Sequence, residues 1–174
     1  MSRSLEAEIR DLAARRDIAD AVHRYMRGLD RLDPALMRSA FHDGALVDVG
    51  LMAGPVDDFV TFAQDMLAGM DANHHLLGQI MLTVHGDTAS GECYFQAWHG
   101  ARDEAGNPRD LFISGRYVDE YACNNGEWRI ARRKLITDWT SNNVADHSFY
   151  AANPMTNRGG RSGKDFSQTR NWHG

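Results

Sequence analysis

Two adjacent histidines and one aspartate are the residues of this chain that could carry acid–base chemistry together. His74 and His75 open a segment with strand alternation, residues 75–84, and Asp30 ends the first helical segment. An imidazole paired with a carboxylate forms a general acid/base couple that needs neither a metal nor an organic cofactor. The sequence therefore predicts such a couple, provided that the fold brings the helix end to the strand start.

Asp30 has an ordinary alternative interpretation as a solvated carboxylate at a helix end. Two features favour an inward position instead. A carboxylate at a helix C-terminus faces the negative end of the helix dipole and needs compensation. Asp30 also follows Tyr25 and Met26, which lie on or near the apolar face of the helix. A buried aspartate needs a partner, and imidazole is a suitable one.

Strand alternation separates the two histidines. It puts His75, Leu77, Gln79 and Met81 on one face, and His74 on the other. Polar groups among apolar ones are typical of ligand pockets. We therefore predict that His75 is catalytic and that Gln79 binds substrate. A core histidine with satisfied hydrogen bonds is the alternative, and it stays open.

Later strands supply candidates for the wall of a pocket. Tyr94, Gln96 and Trp98 share one face of the segment GECYFQAWHG. Tyr94 and Trp98 are predicted to contact substrate, although aromatic residues more often belong to a core. An inward arginine could bind a carbonyl or phenolate oxygen, because a guanidinium is always charged and offers several donors. Arg133 and Arg116 compete for that role, and most other arginines of the last strand must be solvated.

Other common chemistries find no motif in this sequence. Cys93 and Cys123 and the scattered histidines lack the spacing of a metal site. A phosphate loop, a dinucleotide fingerprint and a nucleophile elbow are all missing. The sequence therefore predicts no metal and no cofactor, with both cysteines reduced and in the core or at the surface.

Composition narrows the class of protein. The chain has 174 residues, a formal net charge of −5 and 43% hydrophobic residues. An acidic balance does not favour nucleic acid or acidic lipid as a partner. No apolar run approaches the roughly 20 residues of a membrane span, and the N-terminus is charged where a signal peptide would be apolar. We expect a cytoplasmic globular protein that binds neither nucleic acid nor membranes.

Helical spacing comes first along the chain, and strand alternation follows. The predicted helices cover residues 5–29, 34–41 and a segment that opens at 54–55. The predicted strands cover residues 45–49, 51–53, 75–84, 88–100, 111–121 and 128–139, with a hairpin turn at Asn124-Asn125-Gly126. This order indicates an α+β fold. Strands of a dozen residues indicate a strongly curved sheet that wraps around the helices and leaves a cone-shaped cavity.

The sequence divides into one domain and a tail. Residues 1–140 are predicted to form the α+β domain. Residues 141–174 are rich in Asn, Ser, Gly and Arg with scattered aromatic residues. We predict that this tail packs on the domain or on a neighbouring subunit. Its GGRSG segment lies outside any strand–helix context that would make it a phosphate loop.

The order of these segments resembles the SnoaL-like branch of the nuclear transport factor 2-like superfamily. The resemblance covers about residues 5–140 and rests on three segments, RYMRGLDRLDPALMRSAF, HHLLGQIMLTVHGDTA and SGRYVDEYACNNGEWRIARRKLITDW. It implies a cystatin-like conical barrel, in which a largely antiparallel sheet wraps three N-terminal helices around a deep pocket. Relatives include scytalone dehydratase, bile acid 7α-dehydratase and hexachlorocyclohexane dehydrochlorinase. Several relatives are cofactor-free lyases, and several are trimers.

The resemblance also implies roles for individual residues. Asp30 and His75 stand where the relatives place their catalytic dyad, and Tyr25 is similar to a catalytic tyrosine of the bile acid enzyme. Gln79 stands where the dehydrochlorinase has an asparagine, and Arg133 is the candidate for the inward basic residue. The tail has no clear counterpart.

The resulting hypothesis is a cofactor-independent lyase that acts on a hydrophobic cyclic or aromatic small molecule. Dehydration is favoured. Loss of halide, isomerisation and retro-aldol release of an aldehyde would use the same couple. A homo-oligomer is expected, with a trimer favoured over a dimer. The alternatives are a non-catalytic small-molecule-binding module and a structural protein like the small subunit of a dioxygenase, because a fold alone does not define a function.

Overall fold

Three helices precede the long strands in the computed structural model, which describes residues 4–172. They are α1 (Leu5–Asp30), α2 (Pro34–Arg38) and α3 (Val56–Ala68). Ser4 and Asp33 cap α1 and α2, because each side chain accepts a hydrogen bond from a backbone N–H group of the first turn. No helix between residues 4 and 172 is long and apolar enough to cross a membrane.

Six strands form one curved sheet in the order β2–β1–β6–β5–β4–β3. The strands are β1 (Phe41–Asp48), β2 (Ala53–Pro55), β3 (Ala72–His85), β4 (Thr88–Arg102), β5 (Pro108–Asn124) and β6 (Glu127–Val144). All neighbours are antiparallel except β1 and β6, which run parallel. The predicted α+β class with a largely antiparallel sheet is confirmed.

The second helix is shorter than predicted. It ends at Arg38, because Phe41 is already the first residue of β1 and pairs with Ile130 of β6. Phe41 is fully buried. A single buried aromatic residue fits a helical and a strand pattern equally well, so the sequence alone put it in the wrong element.

β-Bulges and turns give the sheet its curvature. The pairing register shifts between Leu77 and Ile80 in β3, and between Ser114 and Gly115 in β5. Each extra residue bends a strand and raises its local twist. A Cβ on Gly115 would lie 2.0 Å from the carbonyl oxygen of Ile136, so only glycine allows this close approach. The predicted hairpin turn is confirmed, with positive φ angles of 55° at Asn125 and 82° at Gly126.

Aromatic side chains fill part of the core between the helices and the sheet. The ring of Tyr25 packs against Phe41, Phe59 and Tyr117 at centroid distances of 5.7, 6.3 and 5.4 Å. Cys93 lies in the same core, with its Sγ 3.4 Å from the hydroxyl of Tyr121. Burial raises the pKa of the Cys93 thiol, so it stays protonated and unreactive.

The tail lies against the domain over part of its length. β6 extends to Val144, four residues beyond the predicted boundary at residue 140. Two short helices follow, α4 (Ser148–Ala152) and α5 (Phe166–Thr169). An ion pair of 2.9 Å joins Asp165 to Arg31, the residue after α1. The outer ends of both predicted units, residues 1–3 and 173–174, lie outside the described residues.

Candidate active site

Asp30 is the last residue of α1, and its carboxylate points at the start of β3. It accepts three N–H groups: the backbone N–H of His75 at 3.0 Å, the Nδ1 of His75 at 2.8 Å and the Nδ2 of Asn73 at 3.1 Å. These donors supply the compensation that a negative charge needs at the end of a helix. The strand start is therefore built around this carboxylate.

His75 completes the pair. Its side chain is 7% exposed and that of Asp30 is 13% exposed, so their contact is shielded from bulk water. A carboxylate only accepts, so the neutral imidazole carries its proton on Nδ1 and leaves Nε2 unprotonated. None of residues 4–172 forms a hydrogen bond with Nε2. Nε2 is therefore free to accept a proton.

His99 of β4 lies beside His75, with ring centroids 5.3 Å apart and the planes at 86°. Burial, followed by repulsion from His75, lowers the pKa of His99 to about 4. His99 is therefore neutral at pH 7 and adds no charge next to the pair. Sequence reasoning counted this residue only among the scattered histidines.

The wall next to the imidazole is apolar. In the pairing register, His75 lies opposite Ala97 of β4, and Ala97 lies opposite Ile113 of β5. Leu77 is the next residue on the inner face of β3. Leu77 and Ile113 are partly buried and pack on the core. These side chains give the inner face of the sheet next to His75 a hydrophobic character.

Arg133 points into the barrel, as predicted, whereas its competitor Arg116 does not. The Arg133 guanidinium donates to both carboxylate oxygens of Asp119, at 2.8 and 2.6 Å. Its Cζ lies 4.2 Å from the ring centre of Tyr25 and 4.1 Å from that of Tyr117. Nη1 is buried without a hydrogen-bond partner among the described residues. Most of the charge is thus neutralised by Asp119, and one donor remains.

Tyr25 belongs to this arginine cluster. Among the described residues, it makes no hydrogen bond or ring contact with Asp30 or His75. It is buried in the aromatic core, one and a half turns before Asp30. Burial raises the pKa of Tyr25, so the phenol stays protonated in the physiological range. Its predicted catalytic role stays a prediction.

The prediction that Gln79 shares the face of His75 is wrong. The bulge between Leu77 and Ile80 reverses the alternation of β3. Ile80 and Leu82 therefore continue the inner face, and Gln79 is exposed on the outside. Strict alternation cannot predict a bulge, and one extra residue turns every later side chain to the opposite face.

Three other predicted substrate-binding residues also lie on the outer face of the sheet. Tyr94 packs against Arg116, whose guanidinium bridges Glu92 and Asp138. Trp98 donates its Nε1–H to Asp110 at 2.8 Å. Tyr94 and Trp98 do share a face, as predicted, but that face is the outer one. Phe95 and Ala97, which lie between them in β4, are the buried residues. These positions correct the expected pocket wall.

Two clefts meet Asp30 from outside the barrel. One has a volume of about 430 Å³ and is lined by residues of α1 and β3, among them His74 and His75. The other, of about 510 Å³, lies between the strand ends and the tail and includes Trp98 and Arg158. Within residues 4–172, no three His, Cys, Asp or Glu side chains are gathered as metal ligands would be.

The chain matches a known family. Residues 10–134 match the SnoaL-like domain, so this chain belongs to that family within the nuclear transport factor 2-like superfamily. A curated relative, terrestric acid biosynthesis cluster protein E of Penicillium crustosum, is 29% identical over 133 residues, which are 74% of this chain and 85% of the relative.

Solved structures with the same fold include enzymes of this superfamily. The hexachlorocyclohexane dehydrochlorinase LinA-type3 of Novosphingobium barchaimii is 17% identical, with a TM-score of 0.71 over 80% of this chain and 97% of that one. A scytalone dehydratase-like protein of Novosphingobium aromaticivorans is 21% identical, with a TM-score of 0.67 over 78% and 91% of the two chains. At these identities the likeness concerns the fold.

Besides His99, sequence reasoning missed Asn73, which donates to Asp30, and Arg161, which contacts Asn73. Asn73 lies two positions before His75 on the same strand face, so alternation could have identified it. Arg161 of the tail donates to the Oδ1 of Asn73 at 3.3 Å. Nothing in its local sequence indicates that contact, because 88 residues separate the two.

Proposed function

We propose that this protein is a cofactor-independent lyase that eliminates water from a hydrophobic cyclic or aromatic small molecule. One observation carries the proposal. The Nδ1 of His75 donates to Asp30 at 2.8 Å, and Nε2 has no partner among residues 4–172. An oriented imidazole with one free nitrogen is the arrangement of a general base.

In the proposed reaction, Nε2 of His75 takes a proton from a carbon acidified by a neighbouring carbonyl or aryl group. The electron pair of that C–H bond forms a carbon–carbon double bond as the C–O bond at the next carbon breaks. The leaving hydroxide takes the proton back from the imidazolium, so water and an alkene are the products. Asp30 stabilises the imidazolium between the two transfers.

The surroundings of Nε2 support a hydrophobic substrate. Leu77, Ala97 and Ile113 form an apolar wall beside the ring. His99 adds a neutral aromatic edge, since its pKa of about 4 keeps it uncharged at pH 7. Apolar walls with a few polar groups favour small organic molecules over charged metabolites.

Arg133 and Tyr25 are the proposed groups for the oxygen of the substrate. Arg133 keeps the buried donor Nη1 without a partner among the described residues, and Tyr25 is held against its guanidinium. A preorganised donor of this kind stabilises charge that develops on an oxygen in the transition state. The superfamily fold shared with dehydratase-like and dehydrochlorinase structures supports the same class of reaction.

The test compares His75→Gln with the matched control His85→Gln. The substrates are a panel of aromatic β-hydroxyketones, and absorbance of the conjugated product reports elimination. Proton exchange with deuterated water at the acidic carbon, followed by NMR, reports base action independently of the leaving group. We expect His75→Gln to lose about a hundredfold to ten-thousandfold in both rates, as for a general base. His85→Gln should retain the wild-type rates, because its side chain is exposed at the other end of β3.

Two results would contradict the proposal. Wild-type rates in folded His75→Gln would exclude His75 as the base. Tight binding of panel members by the wild type, with neither elimination nor exchange, would favour the non-catalytic binding module.

A further inference from the structure

We infer that Arg161 of the C-terminal tail is a positioning residue for the Asp30–His75 pair, acting through the amide of Asn73. This inference rests on the proposed function, because it concerns the same pair. The contacting segment, residues 159–165, is called the tail loop. It reaches the pair from the far end of the sequence.

The tail loop is anchored next to Asp30. Arg31 donates to Asp165 and to the carbonyl of Gly160, both at 2.9 Å, and its own carbonyl accepts the N–H of Ser162 at 2.7 Å. A Cβ on Gly159 would lie 2.9 Å from Nη1 of Arg31, so glycine permits this approach. Asp165 also accepts the N–H of Gly160 at 2.7 Å, which closes the loop on itself. These bonds hold the loop beside the end of α1.

Within this loop, the Arg161 guanidinium enters the junction of α3 and β3. Nη1 donates to the carbonyl of Leu67 at 3.0 Å, and Nη2 donates to that of Met70 at 2.7 Å. A cation at the C-terminus of α3 also interacts favourably with the helix dipole. Nη2 also donates to the carbonyl of Asp71 at 3.2 Å. These bonds fix the guanidinium, so its contact from Nη1 to the Oδ1 of Asn73 at 3.3 Å has a defined direction.

Arg161 thereby determines which way the Asn73 amide faces. An arginine only donates, so Oδ1 is the atom of Asn73 that faces it. The NH₂ group then faces Asp30 Oδ1 and the carbonyl of Leu29, both at 3.1 Å. Asn73 is buried, so a reversed amide would put its oxygen against the carboxylate and leave its NH₂ against a donor. Arg161 therefore adds to the two acceptors, Asp30 and the Leu29 carbonyl, in opposing that reversal.

The experiment measures the Nδ1–H proton of His75 by NMR in ¹⁵N-histidine-labelled full-length protein. The variants are Arg161→Ala, Asn73→Ala and their double variant. Lys164→Ala is the matched control, because this cationic side chain belongs to the same tail loop and is exposed. We expect Arg161→Ala to speed solvent exchange of the Nδ1–H about fivefold, the effect of losing roughly one hydrogen bond. It should also reduce the fraction of neutral His75 that is protonated on Nδ1.

The double variant separates positioning from general stability. In the Asn73→Ala background there is no amide to reverse, so Arg161→Ala should have no further effect on the Nδ1–H. Its effect on the free energy of unfolding, through the lost bonds to α3, should persist there. An unchanged His75 signal in folded Arg161→Ala, or an equal change with and without Asn73, would overturn the inference.

The NMR readout does not depend on turnover, so failure of this inference is distinguishable from failure of the proposed lyase activity. With a substrate from the panel, Arg161→Ala should lower kcat about fivefold with little change in KM. Lys164→Ala should change neither value. A change confined to KM would assign Arg161 to substrate binding and contradict a positioning role.

Discussion

At the scale of single residues, His99 makes the stability of the protein sensitive to acid. Its side chain is buried against the ring of His75, and its Nδ1 has no hydrogen-bond partner among the described residues. The pKa of His99 in the folded protein, about 4, lies below the ordinary value of 6.5. As the pH falls, this histidine is therefore protonated at a higher pH in the unfolded chain than in the folded chain.

This shift predicts the direction of a pH effect on stability. The contribution of His99 is fully present above pH 6.5 and is lost as the pH falls towards 4. The shift corresponds to about 3 kcal/mol in the free energy of unfolding. Between pH 7.5 and pH 4, the free energy of unfolding should therefore fall by about that much more in the wild type than in His99→Gln, as measured by urea unfolding. Parallel pH profiles of the two proteins would contradict this account.

The pair itself also depends on short-range chemistry. Asp30 is held by the backbone N–H and the Nδ1–H of one residue, His75, and by the amide of Asn73. The backbone bond orients the carboxylate whatever the protonation state of the ring. This arrangement lets the imidazole gain and lose a proton without releasing Asp30.

At the scale of elements, the end of α1 decides where Asp30 stands. Gly28, two residues before Asp30, lies against α2, and a Cβ there would lie 2.5 Å from the backbone N of Met37. Glycine weakens a helix, so a glycine in the last turn of α1 needs a reason other than helix formation. In the structure, glycine is required for the close approach of two helices.

Gly28→Ala should therefore destabilise the protein, although alanine is the better helix former. Alanine gains about 1 kcal/mol in helix propensity, whereas the clash with rigid backbone costs about 1–3 kcal/mol or more. We expect a net loss in thermal or urea unfolding and a displaced Asp30. Gly69→Ala is the matched control, because its Cβ would meet nothing nearer than 3.5 Å. Equal stability of the two variants would exclude the steric explanation.

At the scale of the whole molecule, the helices and the curved sheet enclose a buried ion pair. The side chains of Arg133 in β6 and Asp119 in β5 are both 0% exposed. Tyr121 also donates its hydroxyl to Asp119 at 2.7 Å. The network joins two central strands to the aromatic core under α1.

Loss of one partner of this ion pair should destabilise the protein far more than loss of a neighbouring surface arginine. Arg133→Met leaves a buried carboxylate without its cation, which costs about 3–5 kcal/mol in the free energy of unfolding. Arg132→Met is the matched control, since that side chain is 68% exposed and lies 3.6 Å from Glu120. It should cost at most about 1 kcal/mol. Similar losses in both variants, measured by urea unfolding, would contradict a structural role of the buried pair.

Several features of the molecule followed from the sequence by itself. The order of helical and strand periods determined the α+β class, and the Asn-Gly turn determined one hairpin. The position of Asp30 at a helix end, with an apolar face before it, indicated that the carboxylate needs a partner. These inferences succeeded because they depend on local spacing and on the cost of burying charge. The homo-oligomeric state and the catalytic roles stay predictions.

Tertiary structure alone decided which side chains surround the pair. The bulge in β3 turned Gln79 outward, and the alternation of β4 put Tyr94 and Trp98 on the outer face. The pair is surrounded by Asn73, His99 and, through Asn73, Arg161. These contacts join distant segments: the Arg31–Asp165 bond that anchors the tail loop spans 134 residues. Local patterns carry no information about such distant contacts or about one-residue shifts in register. The sequence could therefore nominate Asp30 and His75, whereas only the folded chain determined what holds them together.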